Sequence, residues 1–248
     1  MITTESQINT YISVDCVVFG YDSEKLNVLL VERTLSSNNS RSDFQSDWTL
    51  TGNHVFEGET VKEAAMRVVF NLTGISDIYL EQFKTFADPG RLLKPKDQKW
   101  LRSIGKDPEE RVVSIGYLAL LATQDVSLKW KGRRVKWTPV KTVGQLGFDH
   151  NEILEQAMEA LRNKMKHEPI GFGLLPEKFT LTQLQTVYEQ IFDTHFDKRN
   201  FRKKVNRMKY VIPLNEKQKG VPHKPAQLYM FSREVFEKTK KELFDFVI

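Results

Sequence analysis

The chain has 248 residues, 40% of them hydrophobic, and 37 Lys and Arg against 32 Asp and Glu give a net charge of +5. That is enough material for one large or two ordinary domains with a buried core, and the absence of any run of 18 apolar residues argues against a membrane span. The polar start, Met1 to Asn9, lacks the basic and apolar stretches of a signal peptide, so the expected compartment is the cytoplasm.

Residues 13–20 and 27–33 are rich in Val, Leu and Phe and read as two strands joined by the turn-like Tyr21-Asp22-Ser23-Glu24. The single cysteine, Cys16, lies in the first run, as a buried structural thiol would. Residues 36–46 cluster Ser and Asn and read as an exposed loop; 48–51 is a short strand candidate. Residues 60–73 read as a helix, because Val61, Ala64, Ala65, Val68 and Leu72 recur at helical spacing and Gly74 supplies the stop. Strand candidates follow at 78–86, 112–122 and 135–140. Residues 91–110 are polar and basic (Arg91, Lys94, Lys96, Lys99, Arg102, Lys106) and read as a surface excursion. Residues 149–166 form a helix with an apolar stripe of Ile153, Leu154, Ala157, Ala160 and Leu161. Two prolines and two glycines in 167–176 place a domain boundary there, dividing the chain into 1–167 and 168–248.

The charge is unevenly divided. From Lys178 onward there are 15 Lys and Arg against 8 Asp and Glu, a net of +7, while the remainder carries −2. A basic second module suits a polyanionic partner, and a solvated basic surface is the bland alternative. Thr180 caps a predicted helix over 181–192 with Leu181, Leu184, Tyr188, Ile191 and Phe192 on one face. A second helix is predicted over 198–209. There Phe201, Val205 and Met208 share a narrow arc while Lys198, Arg199, Arg202, Lys203, Lys204, Arg207 and Lys209 surround it. Like charges at this density destabilise an isolated helix unless an anion answers them, and such a helix fits the DNA major groove. Residues 211–231 read as a hairpin with a basic tip of Lys217, Lys219, His223 and Lys224, the layout of a wing.

These residues resemble a known family. Leu175-Pro-Glu-Lys-Phe-Thr-Leu-Thr-Gln-Leu-Gln185, Asp197-Lys-Arg-Asn-Phe-Arg-Lys-Lys-Val205, Pro225-Ala-Gln-Leu-Tyr229 and Phe148-Asp-His-Asn-Glu-Ile-Leu154 are similar to stretches of the Nudix-related transcriptional regulators, and the resemblance covers nearly the whole chain. It implies an α/β fold: a Nudix-like α/β/α sandwich with a mixed sheet, followed by a winged helix-turn-helix. It also implies a homodimer on a palindromic double-stranded DNA operator. Thr182 and Gln183 would touch the DNA backbone. Lys198, Arg199, Asn200, Arg202 and Lys203 would make groove and phosphate contacts, with Lys204, Arg207 and Lys224 adding to the basic surface.

Nudix hydrolases share the box G-x5-E-x7-R-E-U-x-E-E-x-G-U, U being aliphatic. Its trace here is Glu59, Arg67, Gly74 and Ile75, with Asn53 at the first glycine. Val68, Asn71 and Leu72 stand where the metal-binding glutamates would be, and Glu57, Glu59 and Glu63 lie off the ligand positions. Magnesium wants several oxygen ligands, so the expectation is no metal, no cofactor and negligible hydrolysis. A displaced Glu109 or Glu110 would lack metal-binding partners. The family implies ADP-ribose, a related nucleotide or a sugar as effector. Candidate contacts are Arg33 and Arg111 for phosphate or hydroxyls, Ser114 beside them, Trp48, Phe86 and Phe148 for stacking, and Asp88 and Asp149 as hydroxyl acceptors. The rival reading is an active Nudix hydrolase on a nucleoside diphosphate derivative; an RNA-binding module is disfavoured by the wing pattern.

Overall fold

The computed structural model describes residues 8–34, 46–123, 126, 128, 134–222 and 224–239. Most of the predicted loop 36–46 and the wing-tip His223 lie outside them.

The strands are β1 (Ile8–Tyr21), β2 (Leu26–Thr34), β3 (Ser46–Thr49), β4 (Thr51–Phe56), β5 (Tyr79–Phe86), β6 (Val113–Ala122) and β7 (Val135–Pro139). They form one sheet in the order β3-β2-β1-β6-β5, with β4 paired to β1 and β7 to β2. β1 and β6 run parallel and the other pairs are antiparallel, so the sheet is mixed. Side chains alternate between its faces as the strand period requires. Val14, Cys16 and Val18 join Leu29, Val31, Ala119 and Leu121 in one core, against α1 (Val61–Thr73). Val17, Phe19 and Tyr21 join Val28, Leu30, Leu118 and Leu120 in the other, against α3 (His150–His167) and the C-terminal elements. Cys16 is fully buried, and its burial raises the thiol pKa.

Thr60 starts α1 with a reciprocal capping box to Glu63, and Gly74 ends it in the left-handed conformation. β4 escaped the sequence reading because polar Gly52, Asn53 and His54 hide the alternation. A Cβ on Gly52 would stand 2.4 Å from Asp15 Oδ1, so glycine lets β4 approach β1.

One expectation needs correction. The 91–110 segment is not simply a surface excursion: Pro95 opens helix α2 (Pro95–Ser103), which buries Asp97. Residues 167–176 are well packed. A 3-10 turn at Ile170–Leu174 buries Phe172 and Leu174, and Phe172 stacks on Phe231 at 4.6 Å. The second module comprises α4 (Leu181–Phe192), α5 (Lys198–Val205), β8 (Val211–Lys217), β9 (Gln227–Phe231) and α6 (Arg233–Thr239). Its apolar residues, from Leu181 to Val211, share one continuous cluster with the sheet and α3.

Candidate functional site

Three places carry chemistry, and the first is α5. Asp197 caps it by accepting the Asn200 N–H at 2.9 Å. Phe201 and Val205 are buried, Phe201 against Tyr188 and Phe196. Lys198, Arg199, Asn200, Arg202 and Lys203 are exposed, and Lys204 is half-buried. Arg199, Arg202, Lys203 and Arg207 form no salt bridge with a described residue. Their charge is therefore available to an outside anion. The helix ends at Val205, four residues before the predicted end. Arg207 N–H then donates to Lys204 O and Met208 N–H to Val205 O, and these tight i+3 turns keep Met208 on the apolar side. The periodicity thus outlasts the helix itself.

β8 and β9 pair antiparallel as the wing, with Lys217, Lys219 and Lys224 exposed towards its tip. Thr182 is exposed at the start of α4. Gln183 is already engaged: its Oε1 accepts from Thr180 N–H at 2.8 Å, and its Nε2 donates to Ser23 Oγ at 3.3 Å in the first module. Gln183 thus also has a structural role, joining the two modules.

The second place is the Nudix-box helix. Arg67 holds Glu59 with two bonds of 2.7 and 2.8 Å, donates to His54 O at 3.0 Å and lies 3.8 Å over the Phe56 ring. The Arg67 hydrogen bonds keep the Glu59 carboxyl below its usual pKa. Val68 is 2% exposed and Leu72 0%, both packed in the core beneath α1, and Asn71 faces solvent. Two of the three positions that would carry ligands for a divalent cation are therefore core side chains. These residues do not fit such a metal.

The third place is a buried cluster of charges at the end of β2. Arg33 is 2% exposed. Its Nε and Nη2 bind Asp47 at 2.7 and 2.6 Å, and Nη2 also meets Asp97 of α2 at 2.7 Å. Its guanidinium lies 4.5 Å from the Phe148 ring centroid and 5.1 Å from that of Trp100. Burial opposes the charge of Asp47, but Arg33 outweighs it and lowers the carboxyl pKa. Beside this set, Arg91 donates to both Asp149 oxygens at 2.7 and 2.9 Å and to Ser114 Oγ at 2.7 Å, and reaches Asp15 at 3.5 Å. Asp149 stands at the N-cap of α3 but makes no capping bond, because its carboxylate is held by Arg91. Phe148 adopts φ 55°, a strained conformation for a non-glycine residue. α2 holds it there: Asp97 accepts its N–H at 3.1 Å and Lys94 donates to its carbonyl at 2.5 Å.

The cluster therefore brings together four of the expected ligand residues, Arg33, Ser114, Phe148 and Asp149. It leaves out the others. Phe86 is buried against Phe83, and Trp48 packs on the core under Lys136. Asp88 is exposed, and Arg111 donates to Ala87 O at the surface. The sequence reading missed Arg91, Asp97, Trp100, Asp15 and His150. Burial of oppositely charged groups from distant segments leaves no local pattern.

His150 is buried, and its Nδ1 accepts from Leu50 N–H at 2.9 Å, which puts the ring proton on Nε2, 3.7 Å from Asp15 Oδ1. Burial lowers the His150 pKa below 6.5, so this ring folds in its neutral form. An unfolded chain protonates first, and stability is therefore lost as pH falls below about 6.5, by up to roughly 1.4 kcal/mol per pH unit for one proton. His54 contributes in the same window, and Asp47 adds a further loss as pH falls below 3.8 through its lowered pKa. Thermal unfolding between pH 8 and 3 checks this. His150→Gln is expected to flatten the first decline and spare the second.

The sequence matches the NUDIX domain over residues 10–159 and the NrtR DNA-binding winged helix domain over residues 171–231. It is 27% identical over 230 residues to the ADPR-responsive transcriptional repressor NtrR of Acinetobacter baylyi, covering 91% of this chain and 83% of that protein. Shewanella oneidensis NrtR superimposes with a TM-score of 0.70 at 28% identity, covering 90% of this chain and 94% of that one. The same Shewanella protein in complex with a 27mer DNA gives 0.69 at 27% identity, with the same coverage. A MutT/nudix family protein from Enterococcus faecalis shares the fold, with a TM-score of 0.63 at 24% identity over 92% of this chain and 89% of that one.

Proposed function

Because the chain belongs to the NUDIX domain family and continues into a winged helix of the NrtR type, we propose that it is a ligand-responsive DNA-binding transcription repressor. The observation that carries this reading is the exposed cationic face of α5, with Arg199, Arg202 and Lys203 unpaired over a buried Phe201 and Val205. Lys198, Arg199, Asn200, Arg202, Lys203, Lys204 and Arg207 meet the groove and phosphates, with Thr182 and the wing's Lys224 on the flanking backbone. The boundary between sensor and reader falls at 167/168. Two copies form a homodimer on a palindromic operator, in the cytoplasm with the DNA they read. Among the described residues no helix is long and apolar enough to cross a membrane.

The effector is ADP-ribose or a close nucleotide, in keeping with the ADPR-responsive relative. Arg33, Ser114, Phe148 and Asp149 are its contacts. In the arrangement seen here Asp47 and Asp97 occupy the Arg33 guanidinium, as a ligand's phosphate oxygens would. A mobility shift on the DNA upstream of the protein's own operon, with and without ADP-ribose, tests the proposal. Failure to bind any such fragment would contradict it.

The box helix supports no catalysis in this reading. ADP-ribose incubated with Mg²⁺ or Mn²⁺ is expected to release no AMP above the protein-free rate, since Glu59 is committed to Arg67 and Val68 and Leu72 to the core. Metal-dependent turnover that Glu59→Gln abolishes would establish the hydrolase instead.

A further inference from the structure

Sensor and reader meet along one face of α4. Gln183 and Gln190 recur at helical spacing, and both address the β1–β2 turn. Gln190 grips the turn twice: its Nε2 donates to Glu24 O at 2.5 Å, and its Oε1 accepts from Leu26 N–H at 2.7 Å. Gln183 donates to Ser23 Oγ at 3.3 Å, and the Tyr21 hydroxyl donates to Ser23 O at 2.8 Å. Lys141 and Asp193 form an ion pair beside this clamp.

The turn is stiff. Asp22 accepts from Glu24 N–H, Lys25 N–H and the buried Asn27 side chain at 2.8–3.0 Å. From it β2 runs without interruption to Arg33 in the buried charge cluster, a path of roughly 23 Å at the usual strand rise. α3 also joins the two places. Its N-cap Asp149 belongs to the charge cluster, and Arg162 donates to Ile191 O of α4 at 2.7 Å. Next to the clamp is a cavity of about 450 Å³, lined by Lys25, Pro139 and Thr142 of the sensor and by Glu189, Thr194 and His195 of the reader. On this side directed polar bonds and open space flank the apolar cluster that joins the two modules, and polar bonds, unlike apolar packing, hold one orientation.

From this geometry we infer that the turn 22–26 sets the angle of the winged helix on the sensor, with Gln190 as the positioning residue through which a change at the Arg33 charge cluster reaches α5. The inference rests on the regulator reading for its consequence; its mechanical part stands without it. An effector that binds two arrangements unequally shifts their populations, and the spacing of the two recognition helices in a dimer with them.

Gln190→Ala tests the inference. In the wild type, ADP-ribose is expected to change DNA affinity by about 5- to 150-fold, the usual range of coupling between sites. In Gln190→Ala that factor should fall to within about twofold of unity, with ADP-ribose affinity itself within twofold of the wild type. Gln190→Glu keeps the acceptor for Leu26 and loses the donor to Glu24, so it should lie between the two. Full coupling in Gln190→Ala would overturn the inference. Amide exchange separates it from the regulator reading. Exchange should rise by about tenfold or more in both the turn and α4, while α1 and β6 stay unchanged. A rise confined to the turn, or spread over the whole chain as in simple destabilisation, would overturn it. If ADP-ribose leaves wild-type DNA affinity untouched, the regulator reading fails, and exchange alone decides the role of the joint.

Discussion

Replacing Arg199 and Arg202 together with alanine is expected to weaken operator binding by about a hundredfold or more, on the scale of 1–3 kcal/mol per arginine contact with a base edge or phosphate. Both side chains are exposed and free of salt bridges with described residues, so the fold loses nothing when they go. The thermal midpoint should stay within about a degree, because exposed substitutions of this kind seldom exceed 0.5 kcal/mol. The salt dependence carries independent information. Each phosphate contact removed should reduce the slope of log K against log salt by about 0.9. Lys62→Ala, an exposed cation on α1, provides the control and should leave DNA affinity unchanged. If the double variant bound the operator like the wild type, α5 would not be the reading helix.

The second large effect is on stability. Arg91 is 6% exposed and is the cation that answers both Asp149 and Asp15. Arg91→Ala leaves the buried Asp15 and the half-buried Asp149 carboxylates without it. Breaking a buried pair from one side typically costs about 3–5 kcal/mol, because the remaining charge is neither solvated nor paired. For a chain of this size that corresponds to a fall of roughly 6–20 °C in the thermal midpoint. Arg91→Lys should recover part of the loss, since a single ammonium cannot reproduce the two bonds to Asp149. The pair Arg91→Ala with Asp149→Ala should cost less than the sum of the two single changes, as expected of groups in one network. A midpoint within two degrees of the wild type in Arg91→Ala would show that water, and not the protein, solvates this cluster.

The sequence showed the regular elements well and the buried charge cluster poorly, for one physical reason. α4 was predicted over the same residues that form it, because a capping Thr180 and apolar residues at 181, 184, 188 and 191 are local signals. α1 and the central strands β1, β2 and β6 were legible by the same means. Arg91 and Asp149, by contrast, lie 58 positions apart, and nothing near either of them announces the other. A basic stretch such as 91–110 reads as solvated unless its partners are known. Here it supplies Arg91 to one carboxylate pair and Asp97 to Arg33. Residues 167–176 carry a local signal and a hidden one. Prolines and glycines signal a turn, yet the Phe172 and Leu174 between them are what fasten the reader to the sensor. Gln183 combined both effects. Its place at the third position of α4 marked a helix start, and only the tertiary structure shows that its amide also reaches Ser23.

The proposal that one molecule senses a nucleotide and reads DNA is tested most directly by fluorescence anisotropy of an operator duplex titrated with the full-length protein at fixed salt, with and without saturating ADP-ribose. Two binding curves displaced by at least about fivefold are expected, with both displaced together when salt is raised. Coincident curves, in a protein shown by calorimetry to have bound ADP-ribose, would contradict it.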